Sequence, residues 1–427
     1  MKTLLNALRS GLALGLCLGV ALTLSSCGGG SSSTNTSTPP SSLQFSNFQS
    51  ASVVIGQPDF TTVTAVNPPS AATLRLPYGN PAVNGSGLYL PDYLNNRILG
   101  YNTVPTSNGQ AADFVLGQAD FISSTSGTSA TTLHGPETAI VHDGKLLVLD
   151  NGNNRILIWN TKPTTTQATA NVVVGQAGMT SNDHTCNDTN LYAPESFAIV
   201  NGALVVADSS HNRVLIWNTI PTSDGTPADM VIGQTSFTSC SFNAGGISAL
   251  SLNNPKDVAS IGGKFLVADT TNHRVLIWNS LPSCTPSAPA NNCAITSPAD
   301  MVLGQPNFTS GTSNAGSTPS GFGFNSPYML ATDGTRLAVA DYNNYRVLIW
   351  NSMPACTTAP CAITTAADTV LGQPNFSSAV LNNDGSGNSA TATDKNMTRT
   401  TGLTFVTSNQ LIVMDTFNNR ALVFNAR

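Results

Sequence analysis

One element recurs through this chain and leaves few folds open to it: an Asp, four residues, an Arg and then a short apolar run, six times over, at spacings of 58 to 74 residues. The pairs are Asp92 and Arg97, Asp150 and Arg155, Asp208 and Arg213, Asp269 and Arg274, Asp341 and Arg346, and Asp415 and Arg420. A second mark, Gly-Gln after a β-branched run, also occurs six times, at Gln57, Gln118, Gln176, Gln234, Gln305 and Gln373. Self-similarity of this kind marks a repeat architecture, in which each unit is too small to bury its own apolar face and stacks on its neighbours.

Each unit reads as four strands. In the fourth they are Asp257 to Ile261, Lys264 to Asp269, Arg274 to Asn279 and Asp300 to Gln305. Gly262-Gly263 supplies the first turn. The Asn-rich stretch between Asp and Arg supplies the second, because Asn tolerates left-handed backbone and bonds its own turn. Four antiparallel strands repeated six times, with no helical periodicity between them, predict an all-β fold, a six-bladed β-propeller of four-stranded blades. The offset between the two marks predicts how the ring closes. The first Gly-Gln precedes every Asp/Arg pair, and the last unit, ending at Arg427, has none after it. Ser52 to Gln57 is then a fourth strand without a blade, and Arg420 to Asn425 ends a blade without a fourth strand. Pairing the two removes the open sheet edges.

The segments Leu266-Val-Ala-Asp-Thr-Thr-Asn-His-Arg-Val-Leu-Ile and Leu204-Val-Val-Ala-Asp-Ser-Ser-His-Asn-Arg-Val-Leu-Ile resemble the NHL repeat, which runs from an apolar strand through Ala-Asp to Asn-Arg and a second apolar strand. The resemblance covers all six units, from Ser52 to Arg427, and implies the same propeller. It implies little about activity, since that fold serves binding modules, lyases and lactonase-like hydrolases alike. These units are longer than usual for the family, with inserts after each Trp-Asn-x-x-Pro and each Gly-Gln. The family's Gly after the blade-opening Pro survives as Gly79, with Gly402 one place earlier in register.

At the N-terminus, Lys2 and Arg9 precede an uncharged apolar run from Gly11 to Leu24, the length of a secretory h-region and too short to span a bilayer. The run ends in Leu24-Ser25-Ser26-Cys27, which resembles the lipobox of bacterial lipoproteins. By that resemblance Cys27 becomes the acylated first residue, anchoring the protein to a membrane of the cell envelope. Gly28 behind it, rather than Asp, favours the outer membrane of a host that has one. Gly28 to Ser42 holds only Gly, Ser, Thr, Asn and Pro, too little apolar surface to offset chain entropy. The expected organisation is a leader over 1–26, a flexible tether over 27–48 and the propeller over 49–427.

Charged residues make up 9% of the chain, so solubility rests on neutral polar side chains. The 17 Lys and Arg stand against 22 Asp and Glu with no basic run among them, which disfavours nucleic acid as a partner. Eight cysteines fall to six once Cys17 leaves with the leader and Cys27 is acylated. An even number in an exported chain predicts disulfides. Cys284 with Cys293 and Cys356 with Cys361 lie close together in corresponding segments of neighbouring units, which leaves Cys186 for Cys240.

A feature present in every unit answers a need of every blade, so the Asp/Arg pairs read as bridges across one turn that hold each blade in register. Trp159, Trp217, Trp278 and Trp350, recurring at one place in the third strand, read as packing between blades. Function belongs where units differ at one structural position. The residue opening each innermost strand is Tyr78, Glu137, Glu195, Lys256, Tyr328 or Gly402, and innermost strands line the central channel. Two Glu, one Lys and two Tyr there predict a polar binding mouth on the face that carries the Asp-to-Arg turns. On that face also run the long connections after each Gly-Gln, such as Thr235 to Asn254, Asn307 to Ser326 and Asn375 to Thr400, and long ordered loops on a rigid scaffold bind.

His211 and His273, in neighbouring Asn-rich turns, raise a zinc site, but they fill places that are Asn in most other units, and no third ligand is evident. The chain has no Gly-x-Ser-x-Gly elbow, phosphate loop, haem-attachment motif or zincin motif, so no catalytic residue, cofactor or bound metal is expected. The reading is a lipid-anchored binding or scaffolding protein that presents its loop-rich face to a protein, peptide or glycan. Beside it stand a metal-dependent hydrolase or lyase at the channel mouth, with Glu137, Glu195 and Asp257 as the ligands on offer, and an adhesive role in the envelope.

Overall fold

The computed structural model describes residues 43–284, 293–356 and 358–427. The expected leader, Cys27 and the tether as far as Ser42 lie outside the described residues. Six sheets, each built on four antiparallel strands, follow one another along the chain. The first comprises Ala82–Asn84, Gly87–Asp92, Arg97–Tyr101 and Phe114–Leu116, and the fourth Asp257–Ile261, Lys264–Asp269, Arg274–Trp278 and Met301–Leu303, close to the expected bounds. In the sixth, Thr400–Thr407, Gln410–Asp415 and Arg420–Asn425 take Val53–Ile55 as their outer strand. Val53 lies opposite Val423, Val54 opposite Leu422 and Ile55 opposite Ala421. The propeller is thus closed by pairing between the two ends of the chain. Innermost strands touch in cyclic order, the sixth meeting both the fifth and the first.

The second and third strands of each blade are buried on both faces, which is why they read as unbroken Val, Leu and Ile runs rather than alternating ones. Arg213–Trp217 is buried throughout. Each such aliphatic side chain contributes about 1.5–3 kcal/mol through the water it excludes.

The Asp/Arg pairs do more than bridge a turn. In every blade the Arg Nε donates to the Asp Oδ2 at 2.7 to 2.8 Å, with both side chains fully buried. The other carboxylate oxygen accepts a backbone N–H from the preceding long loop, as Asp269 does from Asn253 at 2.8 Å. Arg274 Nη2 donates into that loop, to Ser248 O and Ser251 O at 2.8 and 3.0 Å, and its Nη1 reaches Phe308 O in the next loop. The Gln of each Gly-Gln adds a further tie: Gln305 Nε2 donates to His273 O in the turn and to Thr312 O in the loop, at 3.0 and 2.8 Å. Loops rich in Gly, Ser and Thr are therefore fastened to the blades by buried side chains.

Connections after the third strands cross to the preceding blade and cover its outer strand. Cys293–Ala294 adds in parallel to Met230–Ile232, and Cys361–Ile363 adds in parallel to Met301–Leu303. Elsewhere one side chain takes the outward N–H: Asn108 for Val54, Thr166 for Val115 and Asp224 for Val173, at 3.0, 3.3 and 2.9 Å. The sixth blade ends with the chain, and residues 43–50 stand in for its missing connection. Asn47 Oδ1 accepts the Val370 N–H at 2.9 Å, and the Phe48 N–H donates to Val370 O at 3.0 Å. Residues 43–48, assigned to the tether by composition, consequently belong to the folded body. The reason is apolar surface: Phe45 is buried there, a contribution that Gly28 to Ser42 has no residue to make.

Candidate functional site

Antiparallel order sends the Asp-to-Arg turns and the loops after Gly-Gln to one face of the ring, and the tight turns after the innermost strands to the other. On the loop face the residues that open the innermost strands do converge. Tyr78 Oη and Tyr328 Oη lie 2.5 Å apart, and Tyr328 Oη donates to Glu195 Oε2 at 3.0 Å. The Lys256 ammonium pairs with Glu195 Oε1 and sits 5.4 Å from the centre of the Tyr328 ring. The Glu137 carboxyl lies close enough to Glu195 for the two to interact, and its Oε2 is buried without a hydrogen-bond partner. Side chains from five blades are in mutual contact.

The expected open mouth is not there. Glu137, Tyr328 and Glu195 are only 2%, 5% and 9% exposed, so the five form a plug across the axis. Two glycines make it possible. Gly79 adopts φ +74 and donates its N–H to Thr401 O at 3.1 Å, and a Cβ on Gly402 would lie 2.0 Å from Gly79 O. First and last blades thus meet at the axis, and this close approach carries Tyr78 inward.

A second layer lies beneath. Asn80 and Asp257, from opposite blades, meet at 3.4 Å. The N–H groups of Ala139, Val258, Leu330 and Leu403 occupy one register on four innermost strands. They donate to Asn80 O, Asp257 Oδ1, Asp257 Oδ2 and Asn80 Oδ1 respectively, at 2.6 to 2.9 Å. Pro81 starts the first blade at this level and has no N–H to satisfy. Asp257, considered above as a metal ligand, instead spends its lone pairs on the strand edges.

The electrostatics match a sealed cluster. Burial, then the Glu195 carboxylate beside it, push Glu137 well above the usual carboxylate range, so it retains a proton. Burial and Glu195 likewise raise Tyr78 and Tyr328, keeping both phenols neutral donors. Asp257 is pushed up to about 7 by burial, against the pull of the Ser196 hydroxyl and the Leu330 and Val258 N–H groups. Metal-assisted hydrolysis needs carboxylates with free lone pairs around an open coordination position. Here Lys256 holds that place on Glu195.

His211 fills the register that Asn holds in the other blades, with Nδ1 2.9 Å from Asp208 Oδ2 and Nε2 3.0 Å from His184 O. Cys186 and Cys240 bring their sulfurs within 4.8 Å of it, a grouping that sequence reasoning missed. The signal was two loop cysteines flanking a turn with a His at an Asn position. Both ring nitrogens are engaged and the sulfurs are bonded to each other, so the trio clamps two adjacent loops. His273 Nδ1 accepts the Ser326 N–H at 2.9 Å, which requires the neutral ring, and burial lowers its pKa accordingly. Cys284–Cys293 and Cys356–Cys361 complete the expected disulfides. The four tryptophans each donate Nε1 to a carbonyl in the connection that follows, Trp217 to Thr226 O at 2.9 Å, for example.

The loops and turns of this face carry exposed apolar side chains. Ile122 and Phe242 are 64% and 69% exposed, and Val63, Val66, Leu94, Tyr192, Leu250, Leu381 and Phe417 are also open to solvent there. Leu43 is the exception among the described residues.

No family model matches the chain, and no curated protein does. Among solved structures it is similar to the WD40 β-propeller domain of Doa1, at 8% identity over 91% of this chain and 96% of that one, with a TM-score of 0.42. It is similar also to the hydrazine synthase of Kuenenia stuttgartiensis, at 11% identity over 85% and 98% with a TM-score of 0.44. A protein of unknown function from Bacteroides thetaiotaomicron gives 10% identity over 89% and 75%, with a TM-score of 0.40. The strand pairing of the chain itself makes it a six-bladed β-propeller closed by its own ends.

Proposed function

We propose that this chain is an exported, lipid-anchored propeller of the NHL-repeat type that holds a protein partner on its loop-rich face at the cell envelope. The observation that carries the reading is that nearly all the large exposed apolar side chains among the described residues fall in the loops and turns of that face. Aromatic side chains such as Phe and Tyr are enriched at protein contacts. The buried Arg and Gln anchors beneath hold the loops in place before a partner arrives, which lowers the ordering cost of binding. Isolated apolar groups among neutral Ser, Thr and Asn suit a protein surface better than a glycan. Three disulfides support export, and Leu24 to Cys27 support the anchor.

The test is recovery of the partner from gently solubilised membranes with the full chain and with the double variant Ile122→Asp, Phe242→Asp. The native chain retains a partner, and the variant, with an unchanged unfolding temperature, loses it. Equal recovery by both refutes the loop-face reading. For the anchor, Cys27→Ala moves the protein to the soluble fraction and abolishes acyl labelling; a variant that stays in the membrane with its label refutes that part.

A further inference from the structure

Beneath the two polar layers the channel widens. A cavity of about 350 Å³ is lined by the innermost strands of all six blades. Its closed end is at Asn80 and Thr138, and its lining continues to His142, Ser260, Thr332 and Phe405, which lie toward the tight turns of the face opposite the loops. The volume falls within the range of small-molecule sites, which are concave, mostly apolar and largely preformed.

We propose that this channel is a one-ended binding cavity for a small, uncharged and mainly apolar ligand, entered from the face opposite the loops. Three observations define the ligand. First, the wall combines apolar side chains such as Val83, Val141 and Ile199 with the polar edges of the innermost strands, and none of the lining residues is an Asp, Glu, Lys or Arg. The one titratable lining residue, His142, lies 3.4 Å from Asp143. A charged ligand would lose its hydration with no counter-charge to replace it, because Asp257, just behind the closed end, already accepts from Leu330, Val258 and Asn80.

Second, the bore is kept open at one register. Three residues before each repeat Asp, the second strand faces Ala82, Ile140, Ala198, Ala259, Ala331 or Thr404. Alanine at four of these six places leaves room at the axis that bulkier residues would fill. Third, the pleat turns the same strand edge back to the axis two residues beyond the capped N–H groups, at Val141, Ser260, Thr332 and Phe405. Neither Asn80 nor Asp257 caps this lower ring, so its peptide groups are placed to meet hydroxyl, carbonyl or amide groups on an otherwise apolar molecule.

The probe is phenylnaphthylamine, an uncharged fluorophore that brightens in apolar surroundings, with anilinonaphthalene sulfonate as its anionic counterpart. Titration of the purified full-length chain gives saturable one-site binding of the neutral dye. The sulfonate binds more weakly by about tenfold or more, and Ala259→Phe weakens the neutral dye by a similar factor. The loop-face variant Ile122→Asp, Phe242→Asp binds it as the native chain does, which separates this cavity from the proposed partner surface. Should Ala259→Phe prevent folding, Ser260→Phe nearer the mouth carries the same expectation. Absence of saturable binding, equal affinity for both dyes, unchanged binding in a folded Phe variant, or loss of binding in the loop-face variant overturns the proposal.

Discussion

Breaking a buried ion pair leaves an uncompensated charge, at a cost of about 3–5 kcal/mol. Each repeat Arg here also fastens two loops. Arg274→Met is therefore expected to lower stability by at least about that amount in chemical unfolding. Arg274→Lys recovers only part of the loss, since one ammonium cannot reach Asp269, Ser248, Ser251 and Phe308 together. His211→Asn, which installs the side chain used in the other blades, shifts stability by less than about 1 kcal/mol. The axis offers a pH test. Folded Asp257 titrates near 7 against an ordinary value of 3.8, so the native state holds a proton that the unfolded chain has released between those values. Its contribution is complete below about pH 3.8 and is lost as pH rises through about 7, at about 1.4 kcal/mol per unit. Glu137, raised in the same sense, adds to this slope. Unfolding free energies measured across that window should decline, and Asp257→Asn should flatten the decline.

At the scale of elements, the outer strands decide whether neighbouring molecules pair edge to edge. Residues 43–50 cover the fifth blade where the other connections cover theirs. Deleting 43–50 while keeping Val53–Ile55 should leave the ring closed, lower the unfolding temperature and produce self-association by sedimentation; a deletion variant that stays monomeric would show the cover is dispensable. Strand bounds were legible because turn residues punctuate every unit, and disulfide partners because paired cysteines share corresponding segments. The edge-covering strands were not, since Cys293–Ala294 and Cys361–Ile363 span two and three residues, too short for any periodicity to show. Variation at one structural position drew attention to the five channel residues, and the fold brings their side chains together at the axis. Their burial was hidden because it depends on the apposition of Gly79 and Gly402, residues near opposite ends of the chain.

At the scale of the whole propeller, the two ends of the described body are adjacent: the Gln44 N–H donates to Arg427 O and the Arg427 N–H to Gln44 O, both at 3.0 Å. A circular permutant joining Arg427 to Leu43 by a short Gly-Ser linker, reopened between Gly262 and Gly263, should keep its unfolding temperature to within about 5 °C. Both of those glycines have open space around them. The pairing of Val53–Ile55 with Arg420–Asn425 also has a temporal side. Among the strands of this ring Val53–Ile55 is synthesised first and its partner Arg420–Asn425 last. Until both partners are present the sixth sheet lacks its outer strand, so closure of the ring is coupled to completion of all six blades.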